Sequence, residues 1–378
     1  MRYKVSDIAD IINVSIKSPS NCGINIFVGL EHYDVGEPVI TRYGSTDMLT
    51  TAVKKFNSGD ILLARRNVYL RRAGKVDFDG VTSGDSIVIR VKSDLSKMED
   101  CDSIVMKSLL PFILNTNIFW DYANTNSDGT MSKRLSPQML LDYEFDLPPL
   151  EEQKVLADKL WAAYRLKESY KKLLAATEEM VKSQFIEMFD FENNSHNWSV
   201  MSFNDFASLD CTMTTDYDYY ADYPHIGIDS IEQNTGRLYG YRTVKEDNVK
   251  SGKYIFTPNH IIYSKIRPNL NKVAVPDFDG LCSADSYPIL PNNEVTSKDF
   301  LVYLLRSDVF LRYIIPLSNR TGMPKVNREQ VEGFACPLPP KSEQSKFVTI
   351  YHQADKSEFE LRKSIDAIDA VIKSLINS

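Results

Sequence analysis

Leu147-Pro148-Pro149-Leu150-Glu151-Glu152-Gln153 returns as Leu338-Pro339-Pro340-Lys341-Ser342-Glu343-Gln344, 191 residues later. Each copy reads as the start of a long helix. Proline closes the preceding segment and suits a first helical turn, where its missing N–H costs nothing. The carboxylates that follow favour the positive end of the helix dipole. From Glu151 to about Met188 there is neither Pro nor Gly, and Ala, Leu, Lys and Glu dominate. Leu166, Tyr170, Leu173, Thr177 and Met180 follow a 4-3 spacing. Ala354, Leu361, Ile365, Ile368, Ile372 and Leu375 do the same, with Glu358 interrupting. The spacing predicts two long helices that pair along a coiled-coil seam, in preference to two helices lying on separate cores.

The repeat extends outward from these helices. Phe78-Asp79-Gly80-Val81-Thr82-Ser83-Gly84-Asp85 matches Phe278-Asp279-Gly280-Leu281-Cys282-Ser283-Ala284-Asp285 at five of eight positions. Val28 to Glu31 pairs with Ile226 to Asp229, and Asp60 to Arg65 with His260 to Lys265. Gly59-Asp60 and Asn259-His260 are turn signals before the apolar runs Ile61 to Ala64 and Ile261 to Tyr263, which read as strands. Ser86 to Ile89 reads as another strand, and Phe300 to Arg306 as a helix. The expected fold is mixed α/β: two globular domains in pseudo-symmetric repeat, separated by two long antiparallel coiled-coil helices. The expected parts are a domain over 1–147, a long helix over 148–190, a second domain over 191–338 and a second long helix over 339–378. A helix of about 35 residues is about 50 Å long, and one turn of B-DNA is roughly 34–36 Å. Such a pair can space two DNA-reading domains by about a turn.

Composition bounds the rest. At 378 residues, two or three domains are expected. Five scattered cysteines with no Cys-x-x-Cys pair argue against a disulfide framework or a zinc site and fit a reducing cytosol. Residues 1–20 lack a secretory pattern, and no apolar stretch is long enough to span a bilayer, so a cytoplasmic protein without membrane association is expected. The net charge of -7 speaks against nucleic acid only if charge is evenly spread. Lys54 to Lys75 holds seven cations against one acid, Asp60, and Lys250 to Lys272 holds five cations and no acid. These basic stretches occupy matching places in the repeat.

Phosphates are held by Lys, Arg and small polar groups, and bases are read mainly by Arg, Asn, Gln, Ser and Thr. The candidate DNA-binding residues of the first domain are therefore Arg65, Arg66, Tyr69, Arg71, Arg72 and Lys75, joined by Thr130, Lys133 and Arg134 from a polar, basic loop. Those of the second are Lys265, Arg267, Asn269, Asn271 and Lys272, joined by Arg320, Thr321 and Lys325. The bland reading of each cation is a solvated face, and of Tyr69 simple packing. The repeated Phe-Asp-Gly-x-x-Ser-x-Asp reads as scaffold: Asp-Gly sets a tight turn that the Phe anchors. The other reading gives Ser83 and Ser283 a contact with DNA at the domain edge. No phosphate-binding loop, adenine-methylase Asp/Asn-Pro-Pro-Tyr/Phe motif or histidine cluster is present, so no catalytic or metal-binding residue is assigned.

Globular region, Leu-Pro-Pro-x-x-Glu-Gln, long helix, stated twice, resembles the specificity (S) subunit of type I restriction-modification systems over essentially the whole chain. The resemblance implies a non-catalytic subunit with two target-recognition domains, each reading one half of a bipartite, asymmetric target in double-stranded DNA. It implies helices that set the spacer and dock two modification (methyltransferase) subunits, with restriction subunits able to join. It implies no cofactor on this chain; S-adenosylmethionine, ATP and Mg²⁺ would serve the partners. The other reading is an interaction scaffold that brings partners together without reading DNA.

Overall fold

The computed structural model describes residues 2–17, 19, 23–47, 49–129, 132–318 and 323–377. The chain divides into two compact units, Met1–Lys172 with Leu361–Ser378, and Leu173–Glu360. Each unit therefore takes one end of each long helix.

The same topology is built twice. In the first unit a four-stranded antiparallel sheet runs in the order Ala9–Ile12, Ser86–Val91, Ile61–Ala64, Ala73–Lys75. In the second the order is Ala207–Leu209, Ser286–Pro291, Ile261–Ser264, Val273–Ala274. Each unit adds a five-stranded sheet containing one parallel pair, Ile26–Val28 with Gly80–Thr82 and Pro224–Ile226 with Gly280–Cys282. Ile61 to Ala64 and Ile261 to Ser264 are buried throughout. That is why they read as continuous apolar runs without alternation.

The repeated phrase is scaffold. Ring centroids of Phe78 and Phe56 lie 6.0 Å apart, as do those of Phe278 and Phe256. The glycine after Asp, first residue of the next strand, lets the ring of Phe56 or Phe256 approach. A Cβ on Gly280 would lie 2.5 Å from Phe256 Cζ and 2.7 Å from the Pro224 carbonyl oxygen. On Gly80 it would lie 2.6 Å from Phe56 Cζ. Gly280→Ala is expected to destabilise the protein by about 1–3 kcal/mol through overpacking. A urea midpoint equal to wild type would show that the strand can yield.

The long helices span Leu150–Phe189 and Lys341–Asn377. In the first unit Leu160 and Tyr164 pack with Val105, Leu109 and Phe112 of the helix Ser103–Ile113, and with Ile372, Leu375 and Ile376. Further along, Lys167 meets Asp369. Partners fall in number on one helix as they rise on the other, so the pairing is antiparallel. In the second unit Phe185 and Phe189 pack on Phe347, at 5.0 and 5.6 Å between centroids. Ala354 is buried, and Leu361, Ile365, Ile368, Ile372 and Leu375 are half-buried, as the 4-3 spacing predicts. The first helix departs from it. Leu166, Leu173 and Met180 are 46%, 52% and 46% exposed, and the inward line runs one residue on, through Ala157, Leu160, Tyr164, Lys167, Val181 and Phe185. A buried lysine holds a seam position, so apolar periodicity alone selects the neighbouring stripe.

The repeated glutamine anchors each helix start. Gln153 Nε2 donates to the carbonyls of Asp100 and Pro148, both at 2.8 Å. Gln344 Nε2 donates to Val295 and Pro339, both at 2.8 Å, and its Oε1 accepts from the Ser297 N–H and the Thr296 hydroxyl, both at 3.1 Å. Among the described residues no helix is long and apolar enough to cross a membrane.

Candidate nucleic-acid interface

In each unit a strand ends and the chain enters a tight turn of unusual shape. After Ile61–Ala64 come Arg65 and Arg66, then a 3-10 turn over Val68–Leu70. After Ile261–Ser264 come Lys265 and Ile266, then a 3-10 turn over Pro268–Leu270. Left-handed residues flank each turn: Asn67 and Arg71 in one unit, Arg267 and Asn271 in the other.

Main-chain bonds hold each turn in the same way. The Arg65 and Lys265 N–H groups donate to the carbonyls of Asp85 (2.9 Å) and Asp285 (3.0 Å). Those of Asn67 and Arg267 donate to Lys133 and Pro324, both at 2.8 Å. Leu135 and Val326 donate back to Arg65 and Lys265, both at 2.9 Å. Three separated stretches thus converge twice: the basic turn, the last residue of the repeated phrase, and the polar loop some 60 residues on, near Lys133–Arg134 or Lys325. Ser83 and Ser283 are spent inside this frame, their hydroxyls accepting from Asp85 and Asp285 N–H at 3.2 and 3.1 Å.

Side chains then divide into those that are free to reach outward and those that are occupied. In the first unit Arg66 and Arg134 flank Asp85, with N–O distances of 3.6 and 3.4 Å, and Arg66 Nε donates to Ser132 Oγ at 3.1 Å. Lys133 is exposed and donates to the Asn124 carbonyl at 3.1 Å. Tyr69 is exposed, and Arg65 half-buried. Asp60, the one acid of this basic stretch, is buried against Arg90 at 2.6 and 2.7 Å, so it does not face the cluster. Arg71 is tied to Asn117 (2.8 Å) and lies 3.8 Å from Asp121. Arg72 donates to the carbonyls of Leu30 (2.9 Å) and Arg66 (3.2 Å), and burial lowers its pKa. Lys75 pairs with Asp77 at 2.7 Å and lies over the Trp161 ring. No contact brings it to the Arg66–Arg134 cluster among the described residues.

In the second unit Arg267 and Asn269 are exposed. Lys325 pairs with Asp285 at 2.7 Å. Lys265 is buried, its ammonium 4.4 Å from the centre of the Tyr287 ring, and burial together with the nearby charge of Lys325 lowers its pKa. Asn271 is buried and donates to the Arg306 carbonyl at 2.9 Å. Lys272 donates to the Ile228 carbonyl at 2.7 Å. Thr130, Arg320 and Thr321 lie outside the described residues.

Asp85, Asp285 and Asn67 were not singled out from the sequence as members of this surface. The signal was present: Arg65 to Asp85 and Lys265 to Asp285 keep the same separation. Each exposed ion pair contributes only about 0–1 kcal/mol. Its effect is to hold a guanidinium or ammonium in a set direction. Among the described residues no three His, Cys, Asp or Glu side chains are placed to hold a metal ion.

Residues 195–368 match the family described as type I restriction modification DNA specificity domain. The type I restriction enzyme EcoDI specificity subunit of Escherichia coli is 34% identical over 185 residues, 48% of this chain. The chain spans 41% of that relative's length. Among solved structures, the type I restriction-modification system S subunit from M. genitalium aligns at a TM-score of 0.56 with 12% identity, over 100% of this chain and 94% of that one. A chain from a structural study of complex assembly and conformational transition of the type I R-M system aligns at 0.55 with 14% identity, over 100% and 96%. At these identities the two structures establish the shared fold.

Proposed function

We propose that the chain, whose residues 195–368 match the type I restriction modification DNA specificity domain, is the DNA sequence-specificity subunit of such a complex, each unit reading one half of a bipartite target. One observation carries this reading. The same main-chain frame occurs in both units and presents unlike polar side chains: the exposed Arg66, Lys133 and Arg134 in one, the exposed Arg267 and Asn269 with the half-buried Lys325 in the other. Common geometry with different head groups suits the reading of two unlike half-sites. In this reading the long helices set the spacer and carry two methyltransferase subunits. Leu173 and Met180, exposed and seven residues apart, leave an apolar strip open to a partner. The chain itself has no catalytic role. S-adenosylmethionine would serve the methyltransferase subunits, and ATP with Mg²⁺ any restriction subunits that join.

The test uses the chain assembled with its methyltransferase partner. Replacing Arg66, Lys133 and Arg134 together by alanine should weaken duplex binding. It should also lower the slope of log K against log salt by about 2–3, as expected when up to three phosphate contacts are lost. These three side chains are exposed and lose only surface bonds, to Ser132, Asp85 and the Asn124 carbonyl, while the main-chain frame of the turn stays in place; Arg72 instead holds the Leu30 and Arg66 carbonyls. An interaction scaffold that reads no DNA would show unchanged affinity and slope. Base-resolution mapping of the methylated sites should return one bipartite sequence, and methylation without sequence preference would overturn the reading.

A further inference from the structure

Four non-glycine residues hold left-handed conformations at the paired turns. Asn67 lies at φ 55, ψ 58 and Arg71 at φ 50, ψ 60. Arg267 lies at φ 49, ψ 63 and Asn271 at φ 49, ψ 52. Asn tolerates this region, and Arg does so only at a cost. The two units place the pair in opposite order, Asn then Arg in one and Arg then Asn in the other.

Three of the four have side-chain bonds that account for their place. Asn67 accepts from Ser132 Oγ at 3.2 Å, Arg71 donates to Asn117, and Asn271 donates to the Arg306 carbonyl. Arg267 is exposed and makes no side-chain hydrogen bond or ion pair among the described residues. Its main chain is nevertheless fixed on both sides. Its N–H donates to Pro324, its carbonyl accepts from Leu270 at 2.8 Å, and the next residue is the buried Pro268. Strain without a local structural return points to function. A rigid base matters little for a phosphate contact, which tolerates many directions. It matters for a planar fork of donors that must meet two acceptors at once.

We propose that Arg267 is a base-reading residue of the second unit, its guanidinium taking the O6 and N7 acceptors of one guanine in the major groove. This rests on the specificity-subunit reading and deepens it. Lys265 and Lys272 are occupied within the fold, and Lys325 is held by Asp285, so the cations around Arg267 are positioning or phosphate-facing groups. The equivalent slot in the first unit holds Asn67, a residue type that suits adenine.

The experiment compares the full chain and its variants, each assembled with the methyltransferase partner, on a library of duplexes varied through the half-site of the second unit. Arg267→Asn installs the residue the other unit uses and keeps the left-handed turn accessible. It should lower the preference for guanine at one base pair by about 5- to 150-fold, leaving the other positions intact. Arg267→Lys keeps the charge and loses the planar fork, so it should weaken the same preference while the salt slope stays close to wild type. Arg267→Gly should lose it too, yet melt at or above wild type, since the strain is relieved. A uniform loss across all sequences with the salt slope reduced by about one would assign Arg267 to a phosphate and overturn the inference. So would an unchanged sequence preference, or a glycine variant that melts well below wild type. A wild-type complex with no sequence preference would instead overturn the underlying reading, and this inference with it.

Discussion

Gln344→Leu is expected to lower the stability of the unit Leu173–Glu360 by about 3–5 kcal/mol, because a buried group that loses its partner costs about 1–3 kcal/mol and the losses are not fully additive. Gln344 is fully buried, and its amide serves four groups: the carbonyls of Val295 and Pro339, the Ser297 N–H and the Thr296 hydroxyl. Leucine fills the space and offers none of these bonds. Gln153 occupies the same place in the other unit but, among the described residues, donates only to Asp100 and Pro148. Among the described residues its Oε1 has no hydrogen-bond partner. Gln153→Leu should therefore cost less, about 2–3 kcal/mol on the same reasoning. Urea unfolding of the two variants of the full chain checks both the size and the order. Equal losses, or a larger loss at Gln153, would show that the helix start is held by something other than these bonds.

The second large effect belongs to the seam lysine. Lys167 Nζ donates to Glu37 at 2.7 Å and to Asp369, while Lys171 donates to the same Glu37 oxygen at 2.8 Å. The Lys167 and Glu37 side chains are 7% and 14% exposed. Burial pushes the Glu37 carboxyl upward in pKa, but the bonds from Lys167 and Lys171 outweigh it, and the group ends below its usual 4.5. A depressed carboxyl pKa contributes stability that is fully present above the unfolded value and is lost as pH falls through the folded one. Glu37→Gln should thus cost about 2–4 kcal/mol at neutral pH, somewhat less than a fully orphaned buried charge because Asp369 remains to Lys167. The gap between wild type and variant should narrow as the pH falls below 4.5. A gap independent of pH between 7 and 3 would assign the loss to packing alone.

Much of the architecture is legible in the residues. The doubled helix starts, the absence of Pro and Gly after the first, and the continuous apolar runs at Ile61 and Ile261 each leave a local signature. What fails is whatever depends on a partner distant in the sequence. Lys167 reads as a solvated cation because Glu37 and Asp369 lie far away in sequence, so the seam is read one residue early. Gln153 and Gln344 are visible as repeats, but the carbonyls they serve have no side-chain signature. At the interface the basic stretches are found and their division of labour is not. Lys265 lying on Tyr287, Lys272 reaching Ile228 and Arg72 bonding Leu30 are indistinguishable by type from the exposed Arg66 and Arg267. The left-handed turns leave no sequence mark at Arg71 or Arg267, since arginine is not a residue that announces them.

The paired basic turns are suspended almost entirely by main-chain bonds, from Asp85, Lys133 and Arg65 in one unit and Asp285, Pro324 and Lys265 in the other. Peptide groups are common to nearly every amino acid. The head groups at 66, 69, 267 and 269 can therefore drift or be exchanged under selection while the suspension survives. Under the proposed function, a lineage can acquire a new target by point substitution at these positions, one half-site at a time, with the other half and the helices inherited unchanged.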